Sequence, residues 1–127
     1  MYPRKYSLKT RYNFNKVLNR GDTFITSNLL LKYLKVEPEV FNEEADKAVD
    51  KKFAIIASNK FVKSAVQQNR VKRVISEAVR LRLDMFPANY YYIFIPKKTC
   101  LKGGKVDIHV QDIGTQIDSF LSKVAIV

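Results

Sequence analysis

Apolar positions along the chain change period several times, and each change marks an element. Between Leu8 and Arg20, Phe14, Val17 and Leu18 recur at i, i+3 and i+4, which predicts a helix, with Gly21 as its stop. Thr23–Val36 reads as strand, because Leu29, Leu31 and Tyr33 alternate with Leu30, Lys32 and Leu34. Residues 37–50 open on Pro38 and are too polar to bury, so they read as a loop. Lys52–Ser58 carries a short apolar strand in Phe53-Ala54-Ile55-Ile56.

A long helix should begin after Ser64, which with Gln67 three residues on has the capping-box form, and Pro87 limits its far end. Tyr90–Ile95 is aromatic and β-branched, as strands are. Gly103-Gly104 is a turn, and Val106, Ile108 and Val110 alternate as a short extra strand would. Ile113, Ile117, Phe120, Leu121 and Val124 have helical spacing, with Asp112 as a cap. The pattern predicts one α+β sandwich of two layers spanning 1–127.

The helix after Ser64 has two unlike sides. At about 100° per residue, Val71, Val74, Ile75, Ala78 and Met85 fall within an arc of about 100°. Asn69, Arg73, Ser76 and Arg80 fall almost opposite, with Arg70 and Lys72 on the borders. Arg82 interrupts the apolar arc where its head can still reach water. An ordinary solvated face mixes acids with bases for i,i+4 support, but Glu77 is the only acid between Asp50 and Asp84.

Charge gives that face a direction. The chain holds 23 Lys and Arg against 12 Asp and Glu, a net of +11. Half of the acids lie in 37–50, and without that segment 22 bases face 6 acids, leaving +16 on 113 residues. Such a domain repels itself unless a polyanion supplies the counter-charge. Nucleic acid suits it better than an anionic membrane, which would favour an amphipathic helix with bulky aromatics on its apolar side. No apolar run approaches the ~20 residues of a membrane span, and no secretory signal is visible, so a cytoplasmic location is expected. The single cysteine, Cys100, forms no internal disulfide.

Protein-borne catalysis finds little support. His109 is the only histidine and Cys100 has no second ligand nearby, so neither a zinc site nor a Cys–His nucleophile pair is expected. Half of the carboxylates sit in a polar loop, and Gly103-Gly104 lacks the strand–loop–helix setting of a phosphate loop.

The segment from Ser58 to Arg73, with Ser58, Lys60, Val62, Ala65, Asn69, Arg70, Val71, Lys72 and Arg73 in register, resembles the ribonuclease P protein signature, approximately S-K-K-x-V-x-x-A-x-x-R-N-R-(I/V)-K-R. Similarity continues through Glu77, Arg80-Leu81-Arg82 and Pro87-Ala88 to Pro96-Lys97-Lys98. Phe14-Asn15-Lys16-Val17 and Gly21 fit the family's first helix and turn, so the resemblance covers about residues 5–100. Three positions depart: Gln68 replaces the first Arg of R-N-R, Asn59 the first Lys of the pair, and Ser76 a commonly basic residue.

The resemblance implies the element order α-β-β-β-α-β-α with a left-handed β-α-β crossover, which the physics of strand twist would have argued against. It also implies an RNA-binding subunit assisting a catalytic RNA that removes the 5′ leader from precursor tRNA. The RNA would hold the Mg²⁺ ions and carry the chemistry, with no catalytic residue and no metal site on the protein. Lys60, Asn69, Arg70, Lys72, Arg73 and Arg80 would contact the catalytic RNA. A cleft between that helix and the sheet would hold the single-stranded leader, lined by Phe14, Leu18 and either Lys32 or Tyr33. The partners implied are the catalytic RNA and the precursor-tRNA leader, with no membrane and no further protein required. Two other readings compete: a ribosomal-type or chaperone RNA-binding domain with no role in tRNA processing, and a metal-dependent nuclease acting alone.

Overall fold

The computed structural model describes residues 2, 6–8, 10–35 and 51–124; the acidic segment 37–50 lies outside the described residues. Elements follow in the order α1 (Arg11–Arg20), β1 (Asp22–Ile25), β2 (Leu29–Lys35), β3 (Lys51–Ile55), α2 (Ala65–Leu81), β4 (Tyr90–Pro96), β5 (Leu101–Lys102), β6 (Lys105–Val106) and α3 (Val110–Val124). Single 3-10 turns occupy Leu83–Met85 and Lys98–Cys100. The order α-β-β-β-α-β-α holds, with the small β5–β6 hairpin added before the last helix.

Helix α1 starts later than the apolar spacing suggests. Leu8 is extended, because its N–H donates to Phe53 O at 2.8 Å along the edge of β3. Thr10 caps the helix by accepting from Asn13 N. Gly21 ends it for a steric reason: a Cβ there would stand 2.4 Å from Val17 O and 2.9 Å from Tyr33 O.

The long strand-like run folds back on itself. Thr26 N donates to Leu29 O, and Leu29 N donates to Thr26 Oγ1, so Thr26-Ser27-Asn28 makes a turn between β1 and β2. The four main strands lie in the order β1-β2-β4-β3, with β2 antiparallel to β1 and β4, and β3 parallel to β4. Parallel neighbours need a crossover, and α2 supplies it.

Alternation then sorts the sheet into two faces. Leu29, Leu31, Phe53, Tyr92 and Phe94 pack with Val71, Ile75, Val79, Ile113, Ile117 and Phe120, so α2 and α3 cover one face. Ala54, Tyr91 and Ile93 pack with Leu8 and Val17 under α1 on the other. The expected two layers therefore gain a partial third, because a central strand with apolar residues on both sides needs cover on both.

The extra strand predicted through Val110 stops at Val106. His109 N donates to Asp112 Oδ2 at 3.2 Å, so Asp112 reaches back from the first turn of α3 to the residue before the helix.

Candidate nucleic-acid interface

Ser64 caps α2 as its sequence predicts, its hydroxyl accepting from Gln67 N at 3.3 Å. The reciprocal half of the box is not made: Gln67 Oε1 accepts from Val106 N at 2.9 Å and holds the β5–β6 hairpin instead. Val71, Ile75, Ala78 and Val79 are buried, and so is Ser76. The buried arc is thus turned by about 60° from the predicted one, taking in Val79 and Ser76 and leaving Val74 half-buried. Helix α2 packs on both the sheet and α3. Ser76 satisfies its hydroxyl by donating to Arg73 O at 3.2 Å, so its position could not present a charge to solvent without moving the helix. Met85 lies beyond the helix and is 59% exposed, contrary to its place in the predicted apolar arc.

The outward side carries the expected polar row. Lys60, Asn69, Arg70, Arg73 and Arg80 are exposed and Lys72 is half-buried. Among the described residues no ion pair engages Arg70, Lys72 or Arg73. Arg80 differs, because its guanidinium forms a two-point pair with Glu77, Nε to Oε2 at 2.9 Å and Nη2 to Oε1 at 2.5 Å. Hydrogen bonding to Arg80 lowers the Glu77 carboxyl to about 2, so Arg80 is internally neutralised at neutral pH.

Two further cations are structural. Arg82 turns to α3, donating from Nε to Asp118 Oδ1 at 2.7 Å over Gly114, where any Cβ would meet the guanidinium. Lys51 Nζ donates to the carbonyls of Leu83 and Phe86 beyond the C-terminal end of α2.

The leader-cleft candidates divide between the two faces of the sheet. Phe14 and Leu18 are half-buried beside Val17, Tyr91 and Ile93 on the α1 face. Lys32 pairs with Ile93 across the ladder and so shares that face. Tyr33 pairs with Tyr92 on the opposite face, its ring 5.2 Å from Phe120 and 6.4 Å from Tyr90. The register therefore puts Lys32, not Tyr33, on the face of Phe14 and Leu18, and Tyr33 packs with the core under α3. Nor does a cleft separate α2 from the sheet, since Phe53, Phe94, Ile75 and Val79 fill that space. An apolar surface with a cation beside it lies on the α1 side.

A groove of about 730 Å³ opens where β3 and β4 end, lined by Ile56, Phe61, Ile95 and Pro96 together with Lys60, Lys97 and Lys98. Parallel strands bring their C-terminal ends to the same edge, which is why two lysine-bearing loops meet there. In the sequence, Pro96-Lys97-Lys98 reads only as a strand end. The available signal was the crossover itself, which makes residues after β3 and β4 neighbours. Lys97 Nζ also donates to Thr26 O at 3.0 Å.

His109 is exposed and Cys100 is buried. Cys100 donates to Asn28 O at 3.3 Å, and burial raises its thiol to about 11. No three of His, Cys, Asp or Glu come together among the described residues. Among the described residues no helix is long and apolar enough to cross a membrane.

Comparison with known proteins agrees with this arrangement. The profile of the Ribonuclease P family matches residues 2–118. The ribonuclease P protein component of Petrotoga mobilis is 29% identical over 123 residues, covering 97% of this chain and 94% of the relative. That of Clostridium beijerinckii is 32% identical over 92 residues, covering 72% and 70%. The fold is shared with the ribonuclease P protein from Thermotoga maritima, at a TM-score of 0.71 and 18% identity, covering 93% of this chain and 96% of that one. It is also shared with the Staphylococcus aureus ribonuclease P protein, at a TM-score of 0.66 and 16% identity, with 94% of each chain covered. A match of this extent disfavours an unrelated ribosomal or chaperone domain, and the chain belongs to the ribonuclease P protein family, the protein components that take part in tRNA processing.

Proposed function

We propose that this chain binds a catalytic RNA through the outward side of α2 and assists that RNA in Mg²⁺-dependent removal of the 5′ leader from precursor tRNA in the cytoplasm. The carrying observation is the run of exposed Asn69, Arg70 and Arg73 with half-buried Lys72, whose three cations have no acid partner among the described residues. Fixed positive charge so placed offsets phosphate repulsion and releases counterions on binding. Lys60 extends the run through the turn before the helix, while Arg80 contributes less because Glu77 already holds it.

The leader would lie on the α1 side of the sheet, its unpaired bases against Phe14 and Leu18 and its phosphates near Lys32. Separate surfaces for the two RNAs suit a subunit that bridges enzyme and substrate. Mg²⁺ would be held by the RNA, and when bound it would activate the attacking water. The side chains of this chain position and neutralise; none is assigned a bond-making role.

Reconstitution tests the reading. Precursor-tRNA cleavage by a bacterial ribonuclease P RNA should rise sharply at low Mg²⁺ when this chain is added. Cleavage by the chain alone in Mg²⁺, or no effect on the RNA, would contradict it.

A further inference from the structure

The turn that carries Lys60 is fastened to α2 by a pair of side-chain amides. Gln68 Nε2 donates to Asn59 Oδ1 at 3.1 Å and to Val62 O at 2.8 Å, so one amide group grips the turn at two points. Within the turn, Phe61 N and Val62 N both donate to Ser58 O, at 3.0 and 3.2 Å, and Phe61 is buried. Lys60 itself is exposed, its backbone N–H held by Ser58 Oγ at 3.3 Å. Asn59 and Gln68 are also the two positions where the similar signature carries a Lys and an Arg. The two departures are therefore one event in space, although nine residues separate them in sequence.

Side chains placed this close would repel if both were cations, and the turn would open unless an anion sat between them. A neutral donor–acceptor pair attracts instead and needs no counter-ion. We propose that Asn59 and Gln68 are a positioning pair, whose hydrogen bond sets the 58–63 turn, and with it Lys60, in the RNA-binding geometry before RNA arrives. Two charges are absent, and in their place the ordering cost of the turn is met within the free protein. The inference rests on the RNA-binding reading above, but its first consequence is measurable without RNA.

The test uses the full chain with Asn59→Ala, Gln68→Ala, the double alanine variant, and the double variant Asn59→Lys with Gln68→Arg. Hydrogen exchange in the free protein should accelerate about fivefold or more at Phe61 and Val62 in Gln68→Ala, while Ile75 and Val79 stay protected. Affinity for a bacterial ribonuclease P RNA transcript should fall about three- to tenfold, the worth of a hydrogen bond or two, with an unchanged salt slope. The double alanine variant should bind no worse than Gln68→Ala alone. The Lys/Arg variant should exchange faster at low salt yet bind RNA with a slope steeper by about 1.4–1.8.

Unchanged exchange at Phe61 and Val62 in Gln68→Ala would overturn the proposal. Additive losses from the two alanines would also overturn it, because they would mean two separate RNA contacts. Arg73→Ala serves as the control: if it too leaves RNA affinity untouched, the RNA-binding reading fails, and the exchange data still decide the pair.

Discussion

Replacing Arg70, Lys72 and Arg73 together by Ala removes the three α2 cations that no acid holds among the described residues. None is fully buried, and the adjacent core residues Val71 and Ile75 are untouched, so the fold should survive. Each phosphate contact contributes about 0.7 to the salt slope on single strands and about 0.9 on duplex, so losing three should flatten it by about 2.1–2.7. Between 50 and 200 mM salt, wild-type affinity for the catalytic RNA should therefore fall about 20–40-fold more than that of the variant. The assay is filter binding or fluorescence titration at fixed Mg²⁺ over that salt range, with circular dichroism and thermal melts as controls. Glu77→Ala gives the opposite sign: it frees Arg80 and should steepen the slope by up to about 0.9. Parallel salt lines for wild type and the triple variant, with both proteins folded, would refute the assignment of this face.

Other expectations follow from burial and register. Ile75→Asp should unfold the chain, since it places an unpaired charge at a fully buried site at a cost of about 4 kcal/mol or more, whereas half-buried Val74→Asp should be milder; melts would separate them. Phe14→Ala should weaken precursor tRNA about fivefold or more while sparing mature tRNA. Tyr33→Ala should instead cost about 1–3 kcal/mol of stability through its contact with Phe120, with no dependence on leader length. Gly21→Ala should destabilise by about 2 kcal/mol or more in a denaturant titration, because its Cβ would collide with the carbonyls of Val17 and Tyr33.

Local signals carried much of this structure. Ser64 before a helical period, the alternation of Leu29, Leu31 and Tyr33, and the aromatic run at Tyr90–Ile95 each act over a few residues, and each element formed where they pointed. Long-range partners were less legible. Leu8 left the predicted helix because it pairs with Phe53, and Gln67 Oε1 accepts from Val106 N instead of closing its capping box. The predicted outward row was right for Asn69, Arg73 and Arg80, but Ser76 is buried, which helical periodicity does not register. Lys32 and Tyr33 are equally plausible in sequence; only their pairing with Ile93 and Tyr92 shows which one shares a face with Phe14.

The proposed function places two RNAs on two separate surfaces, and site-directed crosslinking distinguishes them. Cys100 is buried with a raised thiol pKa, so Arg73→Cys and Lys32→Cys each introduce the reactive thiol for a photoprobe. In the assembly with catalytic RNA and precursor tRNA, probes at position 73 should mark the catalytic RNA and those at position 32 the leader. Leader crosslinks from position 73, or catalytic-RNA crosslinks alone from position 32, would contradict it.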